Sequence, residues 1–128
     1  MSQLDTHIVV WLYEGRASKL SKAARNLIRR SDTVTISPLT LMELDNLIAG
    51  RRVKAESPAT IIAIISQEIG PIDVSPTPFQ DIIAKALTIG WTRDPFDRLI
   101  VANAMADGVK LITADEKIRA NFKDAVWD

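Results

Sequence analysis

Apolar positions along the chain recur with two different periods, and the places where one period gives way to the other mark its elements. In "LSKAARNLIRR", Leu20, Ala24, Leu27 and Ile28 are spaced for one face of a helix. Pro38 suits the first turn of a second helix, "LTLMELDNLIAG", which Gly50 closes. "SPATIIAIISQEIG" carries a Ser57 cap, Pro58 in its first turn and a terminal glycine. Its isoleucines also permit a strand, but its length and caps favour a helix. "PFQDIIAKALTIG" and the residues after Pro95 in "TRDPFDRLIVANAMADG" read as helices, as does the segment from about Thr6 to Tyr13. "DEKIRANF" reads as a short helix. Between them lie "SQLD", "TVTIS", "PIDVSP", "VKLITA" and "DAVWD", five short candidate strands.

Strands alternating with helices predict βαβ units, and so an α/β fold with a small, mainly parallel sheet flanked by helices in three layers. Repeats, low-complexity segments and long linkers are absent, so one domain over residues 1–128 is expected. In such folds ligands bind at the carboxyl ends of the strands, which makes the residues just after each strand the informative ones.

Composition narrows the chemistry. Hydrophobic residues make up 47% of the 128, enough for a core, and 16 basic residues balance 16 acidic ones. Zero net charge argues against bulk capture of nucleic acid while leaving room for a local patch. With no cysteine there is no disulfide, thiolate metal site or cysteine nucleophile. With one histidine, His7, a multi-histidine site within one chain is ruled out. Any metal would be held by oxygen, which favours Mg²⁺ or Mn²⁺. No apolar run approaches the ~20 residues of a membrane span and no secretory leader is visible, so a cytoplasmic protein is expected.

Five acids stand out. Asp5 follows the first strand and Asp115 the "VKLITA" strand, and each suits a helix N-cap. Asp94 before Pro95 is also a good cap, with Asp97 at the position of a capping-box acid. Glu43 differs, because it lies inside its helix between Leu39 and Leu47, on an apolar stripe where it cannot cap. A carboxylate there needs a partner, either a basic side chain or a metal ion shared with other acids. Asp5, Glu43, Asp97 and Asp115 could converge at one edge of the sheet. Their mutual repulsion would then call for a cation, as in oxygen-ligated sites that activate water for phosphoryl displacement.

"LDTHIVVWLY", "ISPLTLMELDNL", "TRDPFDRLIVANAMADG" and "LITADEKI" together resemble the PIN domain, in particular the VapC-like toxin ribonucleases of prokaryotic toxin–antitoxin pairs. The four pieces occur in family order and span nearly the whole chain. The resemblance implies a small parallel sheet flanked by helices and a metal-dependent endoribonuclease acting with Mg²⁺ or Mn²⁺. It implies Asp5, Glu43, Asp97 and Asp115 as the catalytic, metal-binding acids. Asp94 matches a second acid in a supporting role, and Thr113 a hydroxyl that orients a carboxylate or a water. It also implies an RNA substrate, an antitoxin partner and a homodimer. One departure is the first strand, "SQLD", which is shorter and more polar than the family's apolar run and suggests a weak edge.

Other residues have two readings each. Arg98 and Arg93 flank Asp97 and suit either a substrate phosphate or an internal ion pair, with the ion pair at least as well supported for Arg98. His7 suits a phosphate contact, or more commonly a structural hydrogen bond. Lys19, Lys22, Arg25, Arg29 and Arg30, then Arg51, Arg52 and Lys54, are RNA-facing candidates or simply solvated charge. Trp11 and Tyr13 are either core residues or part of a partner-facing patch. Two rival functions remain, a non-catalytic PIN-like module that binds RNA or protein and a receiver-type signalling domain. A receiver needs an acidic pair after the first strand and a phospho-accepting Asp after a central strand. Here a single acid follows the first strand and Asp73 lies inside "PIDVSP".

Overall fold

The computed structural model describes residues 1–128. Five strands form one parallel sheet: β1 (Ser2–Leu4), β2 (Val34–Ile36), β3 (Ile72–Val74), β4 (Lys110–Ile112) and β5 (Ala125–Val126). Their order is β3-β2-β1-β4-β5. The chain moves outward from β1 to β3, then returns to the other side of β1, so the order reverses between β1 and β4. That reversal opens a crevice at the carboxyl ends of these two neighbours, where Leu4 is in register with Ile112.

Seven helices connect the strands: α1 (Thr6–Tyr13), α2 (Lys22–Arg30), α3 (Pro38–Ala49), α4 (Pro58–Ile69), α5 (Phe79–Ala86), α6 (Pro95–Asp107) and α7 (Glu116–Asn121). Most start where a side chain can satisfy an orphan N–H. Ser37 caps α3 and Ser57 caps α4, each followed by a proline whose fixed φ suits the first helical position. Two cores lie on opposite faces of the sheet. The first takes Ile8, Val9 and Leu12 of α1, Ala24, Leu27 and Ile28 of α2, and Ile61 and Ile65 of α4. The second takes Ile82 of α5, Ile100, Val101 and Ala104 of α6, and Ile118 of α7. Leu111 joins the second core and Ile112 the first, as alternation along a strand buried on both faces requires.

Two expectations are corrected. β1 is not a weak edge but the central strand, with Ser2 and Gln3 fully buried. Distant residues satisfy most of its side-chain polar atoms, although the buried Gln3 Oε1 has no partner. Gln3 Nε2 donates to Thr35 Oγ1 (3.1 Å) and Asp107 Oδ2 (2.7 Å). Ser31 Oγ gives its one proton to the Leu27 carbonyl (2.6 Å) and so accepts from Ser2 Oγ (3.0 Å). The helix expected through "LTIG" instead ends at Ala86. Ile89 is buried, and reaching the second core forces the chain to leave the helical path one turn early. In the partly periodic segment "WLYEGRASKL", Gly15 takes φ +73° and a 3₁₀ turn spans Ala17–Lys19. Trp11 packs against the first core and tilts on Trp127 (centroids 5.9 Å apart), and Tyr13 Oη donates to the Lys54 carbonyl (2.7 Å). No helix is long and apolar enough to cross a membrane.

Candidate metal centre

Asp5 is the first residue after the central strand and caps α1, its Oδ1 accepting from Thr6 N–H (2.7 Å). Its Oδ2 accepts from Thr113 Oγ1 (2.7 Å). Asp5 is thus an almost fully buried carboxylate held at both oxygens. Thr113 follows β4 and is itself buried. Its hydroxyl donates to Asp5 and accepts from Asp115 N–H (3.1 Å), so one side chain sets two of the acids. Asp115 caps α7 through Oδ1, which accepts from Ile118 N–H (2.9 Å).

Glu43 projects from the middle of α3 toward α1, and its Oε1 accepts from Thr6 Oγ1 (2.5 Å). Thr6 has one proton to give, and the shorter contact assigns it to Glu43. Thr40 Oγ1, 3.1 Å from Thr6 Oγ1, is then the donor in the second contact. No basic side chain forms an ion pair with Glu43. Of the two partners its place on an apolar stripe demanded, the basic residue is therefore absent. Burial pushes its carboxyl above the ordinary carboxylate range, opposed by the Thr6 hydrogen bond and reinforced by the charges of Asp5 and Asp94.

The two acids of "TRDPFDR" divide the work between them. Asp94 caps α6, with Oδ1 accepting from Asp97 N–H (3.1 Å). Asp97 lies in the first turn, half-buried, and makes no side-chain hydrogen bond. Burial, followed by the charges of Asp94, Asp5, Asp115 and Glu43, pushes its carboxyl up to about 7. Asp5, Glu43, Asp97 and Asp115 line one open cavity of ≈ 340 Å³ at the crevice between β1 and β4. No three of them are drawn tightly enough together to form a closed ion site. The donor set nevertheless fits a hard divalent cation. It is all oxygen, it carries repulsion that a cation would relieve without protonation, and neutral hydroxyls rather than arginines steady it.

The remaining residues fall differently. His7 lines the cavity with both nitrogens engaged: Nε2 accepts from Ala114 N–H (2.9 Å), which puts the neutral ring's proton on Nδ1, 3.4 Å from Asp5 Oδ2. Arg98 is not at the cavity, and it forms no internal ion pair either. Its Nε donates to the Ala86 carbonyl (3.0 Å), tying α6 to the end of α5. Arg93 is exposed and does not line the cavity. Asp73, the residue a receiver reading would need, lies on the outer strand β3 beside a separate hollow with Asp107. Two polar lining residues escaped the sequence reading of the site, Thr6 and Glu14. Only Thr6 left a signal, its place directly after Asp5. Arg52 had been one of several basic candidates.

Comparison with known proteins agrees with this architecture. The family model described as PIN domain matches residues 3–123. "Ribonuclease VapC22" of Mycobacterium tuberculosis (strain ATCC 25618 / H37Rv) is 28% identical over 119 residues, which cover 92% of this chain and 89% of that one. Among solved structures, VapBC2 of Rickettsia felis bound to a DNA fragment from its promoter superposes with a TM-score of 0.63. The identity is 17%, with 99% of this chain and 98% of that one covered. VapBC-1 of nontypeable Haemophilus influenzae gives a TM-score of 0.58 at 20% identity, covering 99% and 96%. DNA-bound VapBC of Salmonella typhimurium gives 0.57 at 22%, covering 92% and 89%. At these identities the structures speak for the fold.

Proposed function

The chain belongs to the PIN domain family, and from that premise we infer that it is a Mg²⁺- or Mn²⁺-dependent endoribonuclease, the toxin of a type II toxin–antitoxin pair. One observation carries the chemistry: four acids from four separate elements line a single cavity, and none is paired with a lysine or arginine. In this reading Asp5, Glu43, Asp97 and Asp115 hold the metal. Bound there, Mg²⁺ or Mn²⁺ supplies an activated water and neutralises charge that builds on the phosphoryl group.

The chain's own residues prepare that site. Thr113 keeps the Asp5 and Asp115 carboxylates in fixed register, and the Thr6 hydroxyl favours the ionised, ligating form of Glu43 against the burial that opposes it. Asp94 fixes the start of α6, so that Asp97 meets the cavity at a set angle. Asp97 would ligate as a carboxylate, and since its carboxyl is raised to about 7, metal binding would be coupled to pH. Kinship with VapC22 supports an RNA substrate, and the fold shared with the VapBC complexes supports a cognate antitoxin. Both favour this reading over a non-catalytic binding module. Self-association as a dimer and action in the cytoplasm belong to the same proposal.

The test is cleavage of RNA by purified protein with Mg²⁺, with Mn²⁺ and with chelator, beside Asp97→Asn. Cutting that needs the metal and is lost in the variant supports the reading. A protein that binds RNA without cutting it under any metal would instead be a binding module.

A further inference from the structure

Three basic residues follow α3, and the backbone separates them. Gly50 ends the helix with φ −80°, and a Cβ there would come within 3.3 Å of the Asn46 carbonyl oxygen. The left-handed step falls one residue later, on Arg51, at φ +58°. A non-glycine residue in this region is strained, and the surrounding structure has to hold it. Here the Arg51 and Arg52 N–H groups donate to the carbonyls of Ile48 (3.0 Å) and Leu47 (2.9 Å), and Val53 is buried in the first core. The turn sends the neighbouring charges to different places. Arg51 and Lys54 line a shallow hollow beside Ile48 and Ala55. Arg52 lines the acidic cavity, together with Asp5, Glu43, Asp97 and Asp115.

Arg52 is the only lysine or arginine lining that cavity. It is exposed and forms no ion pair, even with the acids it faces. Its backbone is anchored on both sides while its guanidinium is free. A planar fork held at the rim of a carboxylate-lined cleft is suited to two oxygens of a phosphate. Exposed and unpaired with any of the acids, it lies outside their contact, so the phosphate it is suited to is one flanking the bond to be cut.

We propose that Arg52 binds a phosphate of the RNA strand next to the scissile position, with the left-handed turn at Arg51 aiming it there. This rests on the ribonuclease reading. The contact is made equally in the bound and reacting states, so it acts on substrate binding rather than on the chemical step.

The test compares wild type, Arg52→Gln, Arg52→Lys and Lys54→Gln on single-stranded RNA oligonucleotides, with melting curves confirming that each is folded. Arg52→Gln should raise KM about tenfold with kcat within about threefold of wild type. It should do so by a similar factor on every sequence, because a phosphate contact reads no bases. In an Asp97→Asn background, where RNA is bound but not cut, Arg52→Gln should lower the slope of log K against log salt by about 0.7. Arg52→Lys should recover part of the loss, and Lys54→Gln should stay within about twofold of wild type. Active wild type with unchanged KM and salt slope in Arg52→Gln overturns this proposal alone. Equal losses in Lys54→Gln also overturn it, since they would reflect bulk charge. A fall in kcat at constant KM would put the guanidinium on the reacting group and refute the flanking position. No metal-dependent cutting by wild type would remove the ribonuclease reading, and this inference with it.

Discussion

Replacing Asp97 with asparagine should make the metal-free protein more stable, by an amount that grows with pH. Its carboxyl is raised from 3.8 to about 7, because burial and four neighbouring acids oppose its ionisation. Between those two values the folded protein binds a proton that the unfolded chain does not, so stability falls as pH rises through the window. In a site shut off from water the full cost would be ~4 kcal/mol. Asp97 is half exposed, and solvent screening reduces that to roughly 1–2 kcal/mol. Asparagine removes the repulsion and breaks no hydrogen bond, since Asp97 uses only its backbone N–H. It does give up ~0.3–1 kcal/mol of favourable interaction between a carboxylate and the first turn of α6. The net gain is about 1 kcal/mol at pH 8, which for a chain of this size is roughly 3–5 °C in Tm. At pH 5, below the raised value, the retained proton relieves part of the repulsion, and the difference should shrink. The assay is thermal unfolding at pH 8 and pH 5, in chelator and in saturating Mg²⁺. In chelator the variant should melt higher at pH 8. With Mg²⁺ the wild type should gain more, because the ion binds the native acids that the variant has depleted. A variant that melts lower than wild type in chelator at pH 8, or gains as much from Mg²⁺, would refute this reasoning.

Three further outcomes follow from the hydrogen bonds. Thr113→Val removes the hydroxyl shared by Asp5 and Asp115, so Mn²⁺ affinity measured by titration calorimetry should fall about 10–100-fold. Arg98→Met removes the tie to the Ala86 carbonyl, costing ~1 kcal/mol in denaturant unfolding while leaving RNA cleavage unchanged. Asp107→Asn disturbs a carboxylate that accepts from Gln3, Ser75, Thr77 and Asn103. It should cost about 3 kcal/mol, with kcat preserved at temperatures where the variant is folded.

Much of the fold could be read locally, because helix starts carry their caps in the sequence. Ser37–Pro38, Ser57–Pro58, Asp94–Pro95 and Asp115 all begin helices where expected. Glu43 was legible as an anomaly, an acid on an apolar stripe, and no basic partner meets it. What stayed hidden depended on distant partners. "SQL" looks like a poor strand because Thr35 and Asp107, which accept from the Gln3 side-chain amide, lie 32 and 104 positions away. Arg98 sits beside Asp97 in sequence but turns toward α5, twelve residues back. Arg51, Arg52 and Lys54 were equivalent as charges until one left-handed residue sent them to different sides. The end of α5 was misjudged because Ile89 fits the helical pattern yet is claimed by the core.

The most direct test of the metal centre is an anomalous difference map from crystals grown with Mn²⁺. A peak within coordination distance of the Asp5, Glu43, Asp97 and Asp115 carboxylates, absent in Asp97→Asn crystals, is the predicted result. Crystals that show no Mn²⁺ there, or place it away from these four acids, would contradict the account.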